Sequence, residues 1–117
     1  MGACSEQCLR VLGVVRDVII NNNYKDFIQF AVLYGSLVYG VFGPPLSDVD
    51  VAVLFRDGVD IVDVLPMLIS DLALALGVPE DRVDVAVLND PLLPFEVRFR
   101  ALAQGVPVYI GDRGGIH

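Results

Sequence analysis

The chain has 117 residues, 55% of them hydrophobic and 20% charged, which fits one domain with a real core and excludes extended disorder. Eight Lys and Arg stand against fifteen Asp and Glu, a formal net charge of −7. Such a balance argues against general nucleic-acid binding, because an acidic surface repels the phosphates whose neutralisation drives it. No apolar run reaches the length of a membrane span.

Residues 1 to 8, Met-Gly-Ala-Cys-Ser-Glu-Gln-Cys, lack the basic start and apolar core of a signal peptide. Cys4 and Cys8 are spaced to share a helical face. With His117 alone at the far end they make no zinc site, and two buried or half-buried thiols in a reducing, cytoplasmic setting are expected.

From Ser5 to Asn21, Cys8, Val11, Leu12, Val15, Val18 and Ile19 recur at helical spacing. Phe27 to Tyr34 reads as a strand, broken by Gly35-Ser36, with a short helical turn over Leu37 to Val41. Gly43-Pro44-Pro45 is a loop. Asp48 to Phe55 alternates, with Val49, Val51, Val53 and Phe55 on one face and Asp48, Asp50, Ala52 and Leu54 on the other. Asp60 can cap a helix to Leu76, stopped by Gly77. Pro66 must kink that helix or start a second one. Arg82 to Leu88 repeats the strand pattern: Val83, Val85 and Val87 against Asp84, Ala86 and Leu88. Pro94 is a candidate first helical residue and Gly105 a stop, giving a helix Pro94 to Gln104. Val106 to Ile110 is a last strand. Residues 1–110 then form one domain and 111–117 a flexible tail. The order gives an α+β fold with a mixed sheet of three to four strands and helices packed on it.

Three acids interrupt apolar strands, which ordinarily avoid Asp. Val83-Asp84-Val85-Ala86 nearly copies Val49-Asp50-Val51-Ala52. If the two strands are neighbours, Asp48, Asp50 and Asp84 converge. Like charges so placed raise one another's pKa, and a divalent cation removes the conflict. Mg²⁺ is held by a few carboxylates, phosphate oxygens and water, and two such ions can serve in-line displacement at phosphorus. Each Asp alone also fits an ordinary turn or solvated face. Gly35 permits close backbone approach to a ligand, and Ser36 with the following N–H groups can hold phosphate oxygens.

An apolar strand, Gly35-Ser36, eleven residues, Asp48-Val49-Asp50, and then Asp84 on a later strand together resemble the signature of the DNA polymerase β-like nucleotidyltransferase superfamily. The chain's small size, with Ser47-Asp48-Val49-Asp50-Val51 and Arg82-Val83-Asp84-Val85-Ala86, looks most like its minimal nucleotidyltransferases (MNT). The resemblance spans nearly the whole chain and implies a polymerase β palm-like fold. It assigns Gly35, Ser36 and Ser47 to the nucleotide, and Asp48, Asp50 and Asp84 to Mg²⁺ and catalysis. It implies transfer of AMP from ATP to a hydroxyl, with Asp84 as base. It further implies a HEPN-type toxin as partner, with this chain as the antitoxin that neutralises it by binding and in some cases by adding AMP to its tyrosine. The first helix and the tail are candidate contact surfaces, with ordinary core packing at least as good a reading of the helix stripe, and a homo- or hetero-oligomer is allowed.

Two positions depart from the family pattern. Tyr39 stands where members commonly carry Arg, and Gly43-Pro44-Pro45-Leu46 replaces a loop that often holds a basic residue. Residues 31 to 50 contain no Lys or Arg. An alternative follows: a catalytically inactive module that neutralises its partner by binding alone.

Overall fold

The computed structural model describes residues 4–39 and 48–111. Helix α1 (Glu6–Asn21) is capped by Ser5, whose side chain accepts the Cys8 N–H at 3.1 Å. Strand β1 (Ile28–Tyr34) leads through Gly35 into a single turn, α2 (Ser36–Tyr39). Strand β2 (Val49–Phe55) is followed by α3 (Ile61–Leu76), then β3 (Val83–Val87), α4 (Phe95–Gln104) and β4 (Val106–Ile110). The expected elements are all present, with ends moved by a residue or two.

The four strands form one mixed sheet in the order β3-β2-β1-β4. β1 pairs antiparallel with both β2 and β4, while β2 and β3 run parallel. A parallel pair needs a crossover, and α3 provides it.

Alternation along the strands sorts the sheet into two faces. Ala31, Leu33, Val49, Val51, Val53 and Val83 pack with α1 and α3 in the larger core. Val32, Tyr34, Ala52, Ala86 and Leu88 form a smaller cluster with Ala101 of α4, flanked by Val97 and Leu93. Both faces of the sheet are therefore covered, and the strand acids fall on the α4 side.

The apolar stripe of α1 is core: Cys8, Val11, Val15, Val18 and Ile19 are buried. Core packing is therefore the reading of the stripe that holds, and these side chains do not form a contact surface. Helix α3 runs unbroken through Pro66. One backbone bond is forfeited there, and Val64, Leu68 and Leu72 on the core side hold the helix together. Asp60 caps α3 through its carbonyl, which accepts from Asp63 and Val64, rather than through its carboxylate. Pro94 is the cap before α4 and not its first residue.

Cys4 and Cys8 are joined in a disulfide, with Cα atoms 5.2 Å apart. The expected pair of free thiols is thereby corrected: Cys4, just before the Ser5 cap, comes within bonding reach of Cys8 in the first turn of α1. Gly111, placed by the sequence in a free tail, donates its N–H to the Gln29 carbonyl at 2.8 Å and so continues the sheet edge. Residues 112–117 lie outside the described residues. No helix among the described residues is long and apolar enough to cross a membrane.

Candidate active site

The register decides where the acids meet. Asp50 is the direct partner of Asp84 across the parallel β2–β3 pair, and of Tyr34 across the antiparallel β1–β2 pair. Tyr34, Asp50 and Asp84 therefore form one row over three strands, all on the α4 face. The next row along the same face is Val32, Ala52 and Ala86. Both alanines are buried in the small cluster with Ala101, so the matching Ala after each Asp lets α4 pack closely on the sheet beside the acids.

Asp48 comes one residue before β2 and is exposed, as is Asp84. Asp50 is half-buried, and its carboxyl is pushed up to about 6 by burial first, then by Asp84 and Asp48, with Arg100 opposing. The three predicted acids thus share one electrostatic environment. The Tyr34 hydroxyl, buried in the same row, is pushed up to about 12 by burial and by Asp50 and Asp84, so it stays protonated at neutral pH.

Gly35 sits against this row. Its φ is +86°, and a Cβ there would run into the Asp50 carboxylate, with Asp50 Cγ at 3.1 Å. Only glycine fits both the backbone and the space. The Gly35-Ser36 turn and the acids, fifteen residues apart in sequence, are neighbours in the fold. Ser36 is exposed at the first position of α2. Ser47 lies outside the described residues, as does the loop at 43–46.

The far end of the β2–β3 pair is locked by Asn89. Its amide accepts the Phe55 N–H at 2.8 Å and donates to the Phe55 carbonyl at 3.0 Å. Arg98 donates to the Leu88 carbonyl at 2.8 Å and the Asp90 carbonyl at 2.9 Å, tying α4 to the end of β3. Helix α4 is thereby fixed across the acid-bearing face.

Carboxylate oxygens suit a hard divalent cation in kind, and the crowded charge around Asp50 is what such an ion would relieve. They do not make a finished cage. Among the described residues, no three His, Cys, Asp or Glu are grouped to hold a metal ion.

Two residues of this site carry no signal in the sequence. Tyr34 reads there as an ordinary strand aromatic. Arg100 reads as a solvated helix charge, yet it acts on both Asp50 and Tyr34. A cavity of about 560 Å³ opens elsewhere, between α1 and the end of α3, beside Arg10 and Arg82. None of the predicted site residues lines it.

The family model described as polymerase beta, nucleotidyltransferase matches residues 18–114. The chain belongs to that family. The match takes in β1, the Gly35-Ser36 turn, β2, β3 and α4, so every site residue named above lies inside the nucleotidyltransferase domain. A chain of the solved structure of the tri-AMPylated Shewanella oneidensis HEPN toxin in complex with MNT antitoxin is similar in fold. The likeness has a TM-score of 0.56 at 24% identity, over 85% of this chain and 72% of that one. No curated protein is similar enough to match.

Proposed function

We propose that this nucleotidyltransferase-family chain is an Mg²⁺-dependent protein adenylyltransferase. It moves AMP from ATP to a hydroxyl, a tyrosine of a HEPN-type toxin, and so acts as the antitoxin of a HEPN/MNT pair. The observation that carries the reading is the register that sets Asp50 opposite Asp84, with Gly35 pressed against Asp50. The fold likeness to the complex of an AMP-modified toxin with its antitoxin supports the choice of acceptor.

In this reading Gly35 and Ser36, with Ser47, hold the nucleotide's phosphates. Asp48 and Asp50 hold the metal, and Asp84 shares in that. Bound Mg²⁺ supplies charge neutralisation at the phosphates. Asp84, exposed at the edge of the sheet, is the base: it takes the proton of the acceptor hydroxyl. The hydroxyl oxygen bonds to the α-phosphorus, and the bond to pyrophosphate breaks. Tyr34, kept protonated, closes the inner end of the row beside Asp50.

A second reading has a specific observation behind it. No Lys or Arg occurs between residues 31 and 50, and no three-ligand metal group is formed among the described residues. An inactive module that neutralises the toxin by binding alone fits both. Incubation of the chain and its co-purified toxin with ATP and Mg²⁺, read by intact mass, separates the two. An AMP adduct on the toxin that disappears with Asp84→Asn supports transfer. Complex formation without any adduct leaves the binding module.

A further inference from the structure

A triphosphate brings several negative charges to a row that already holds acids. The loop between Gly35 and Asp48 offers no cation. Beyond bound Mg²⁺ and the backbone of the turn, a side-chain cation for the phosphates would come from another element, and the fold limits the choice.

Helix α4 is the element that covers the acid face. Ala101 is buried against Tyr34, Ala52 and Ala86, and Val97 packs beside it. A Cβ on Gly105 would meet the Leu33 carbonyl oxygen at 3.1 Å. The end of α4 is thus pressed on the last residues of β1, immediately before the Gly35-Ser36 turn. Arg100 adjoins Ala101 and lies three residues past Val97, which sets it on the flank of the buried stripe at that end. Its side chain is exposed and makes no hydrogen bond or ion pair among the described residues.

Three other described arginines are occupied or lie on the other face of the sheet, and Arg56 is engaged with the Lys25 carbonyl and Gln29. Arg98, two residues earlier, is committed to the Leu88 and Asp90 carbonyls. Arg10 and Arg82 stand at the cavity beside α1, on the α3 side of the sheet. Arg100 combines an effect on the acid row with a head group that makes no hydrogen bond or ion pair among the described residues. A guanidinium also presents a planar fork that matches phosphate oxygens in pairs, which an ammonium does not.

We infer that Arg100 of α4 is the cation that binds the nucleotide's triphosphate, in the place left without Lys or Arg after Gly35-Ser36. The inference rests on the nucleotide-transfer reading above. It makes Arg100 a binding residue contributed from the far end of the chain. Its effect on Asp50, whose proton affinity it lowers, has the same origin in proximity.

Calorimetric titration of the full chain with ATP, ADP and AMP in Mg²⁺ tests it, on the wild type, Arg100→Gln and Arg100→Lys. Arg100→Gln is expected to weaken ATP by about tenfold or more while AMP changes little. Arg100→Lys is expected to recover part of the loss, because it restores charge without the fork. Arg100→Gln binding ATP like the wild type overturns the inference and leaves the nucleotide reading standing. Equal losses for ATP and AMP also overturn it, since they report a damaged site rather than a missing phosphate contact. A wild type that binds no ATP removes both.

Discussion

Asp50 of β2 and Asp84 of β3 face each other as direct partners in a parallel strand pair, with Asp50 half-buried between Tyr34 and Asp84. The arrangement costs stability. Asp50's carboxyl rises from 3.8 to about 6 in the folded chain, because burial, Asp84 and Asp48 all disfavour its charge. A raised acid stabilises the fold fully below its unfolded pKa and loses that contribution as the pH climbs through its folded one. The window here runs from about pH 4 to about pH 6.

Asp50→Asn removes the ionisation while keeping the shape. In metal-free buffer at pH 7.5 the variant is expected to melt above the wild type. The advantage should shrink below pH 6 and vanish near pH 4. Thermal melts across that range check it; a wild type more stable than the variant at pH 7.5 would contradict the electrostatic account.

Gly35→Ala tests the contact that joins the turn to the acids. The variant needs a positive φ of an alanine and pushes its Cβ into the Asp50 carboxylate. A cost of about 1–3 kcal/mol is expected from such strain. Part of it should be relieved when Asp50 is also cut to Ala, because the colliding atoms are then gone. A double-mutant cycle by urea denaturation measures the coupling. Additive single effects would mean that Gly35 is needed for its backbone alone.

Much of this site is legible in the sequence because strand alternation is local. Val49, Val51 and Val53 against Asp50 and Ala52 fixes which face carries the acids, and Val83-Asp84-Val85-Ala86 repeats the statement one crossover later. The structure agrees on both faces. Pairing is not local, so the opposition of Asp50 with Tyr34 has no signature along the chain. Arg100 is hidden for the same reason. In Phe95–Gln104 it reads as one charge among polar helix positions, and only the packing of Ala101 and Gly105 on β1 brings it near enough to act on Asp50. The fate of Pro66 is likewise set by tertiary contacts: core packing on Leu68 and Leu72 outweighs a missing backbone bond. Cys4–Cys8 shows a different gap, since the helical spacing read from the sequence does not decide that Cys4, placed before the Ser5 cap, bonds to Cys8 in the first turn of α1.

Tyr24→Phe provides a structural contrast far from the acids. The Tyr24 hydroxyl donates to Asp71 Oδ2 at 2.6 Å, tying the turn after α1 to α3. Burial and the Asp71 carboxylate raise its pKa well above the usual tyrosine range, so the donor proton is held throughout ordinary pH. Losing a hydrogen bond to a charged acceptor is expected to cost about 1.5–3 kcal/mol. Denaturant titration reads that cost, and nucleotide binding should be unchanged. A Tyr24→Phe chain with normal stability and impaired binding would reverse the division between scaffold and site.

Metal binding should follow the proton on Asp50. A proton and a divalent cation compete for the same oxygens, so apparent affinity rises with pH until the acid is ionised and then levels off. For this chain the rise is expected through about pH 6, above the range of an ordinary aspartate. Mn²⁺ serves as a paramagnetic stand-in, because line broadening in amide spectra maps where it sits without needing turnover. Signals of Val49, Val51 and Val85, the neighbours of Asp50 and Asp84, should broaden first. Asp50→Asn and Asp84→Asn should each weaken the effect, and Asp71→Asn should not. The absence of a preformed three-ligand group among the described residues makes the role of nucleotide explicit: broadening should need less Mn²⁺ when ATP is present, since its phosphates complete the coordination. Broadening that is indifferent to ATP and to both substitutions would instead favour the inactive binding module, whose acids serve only as surface charge.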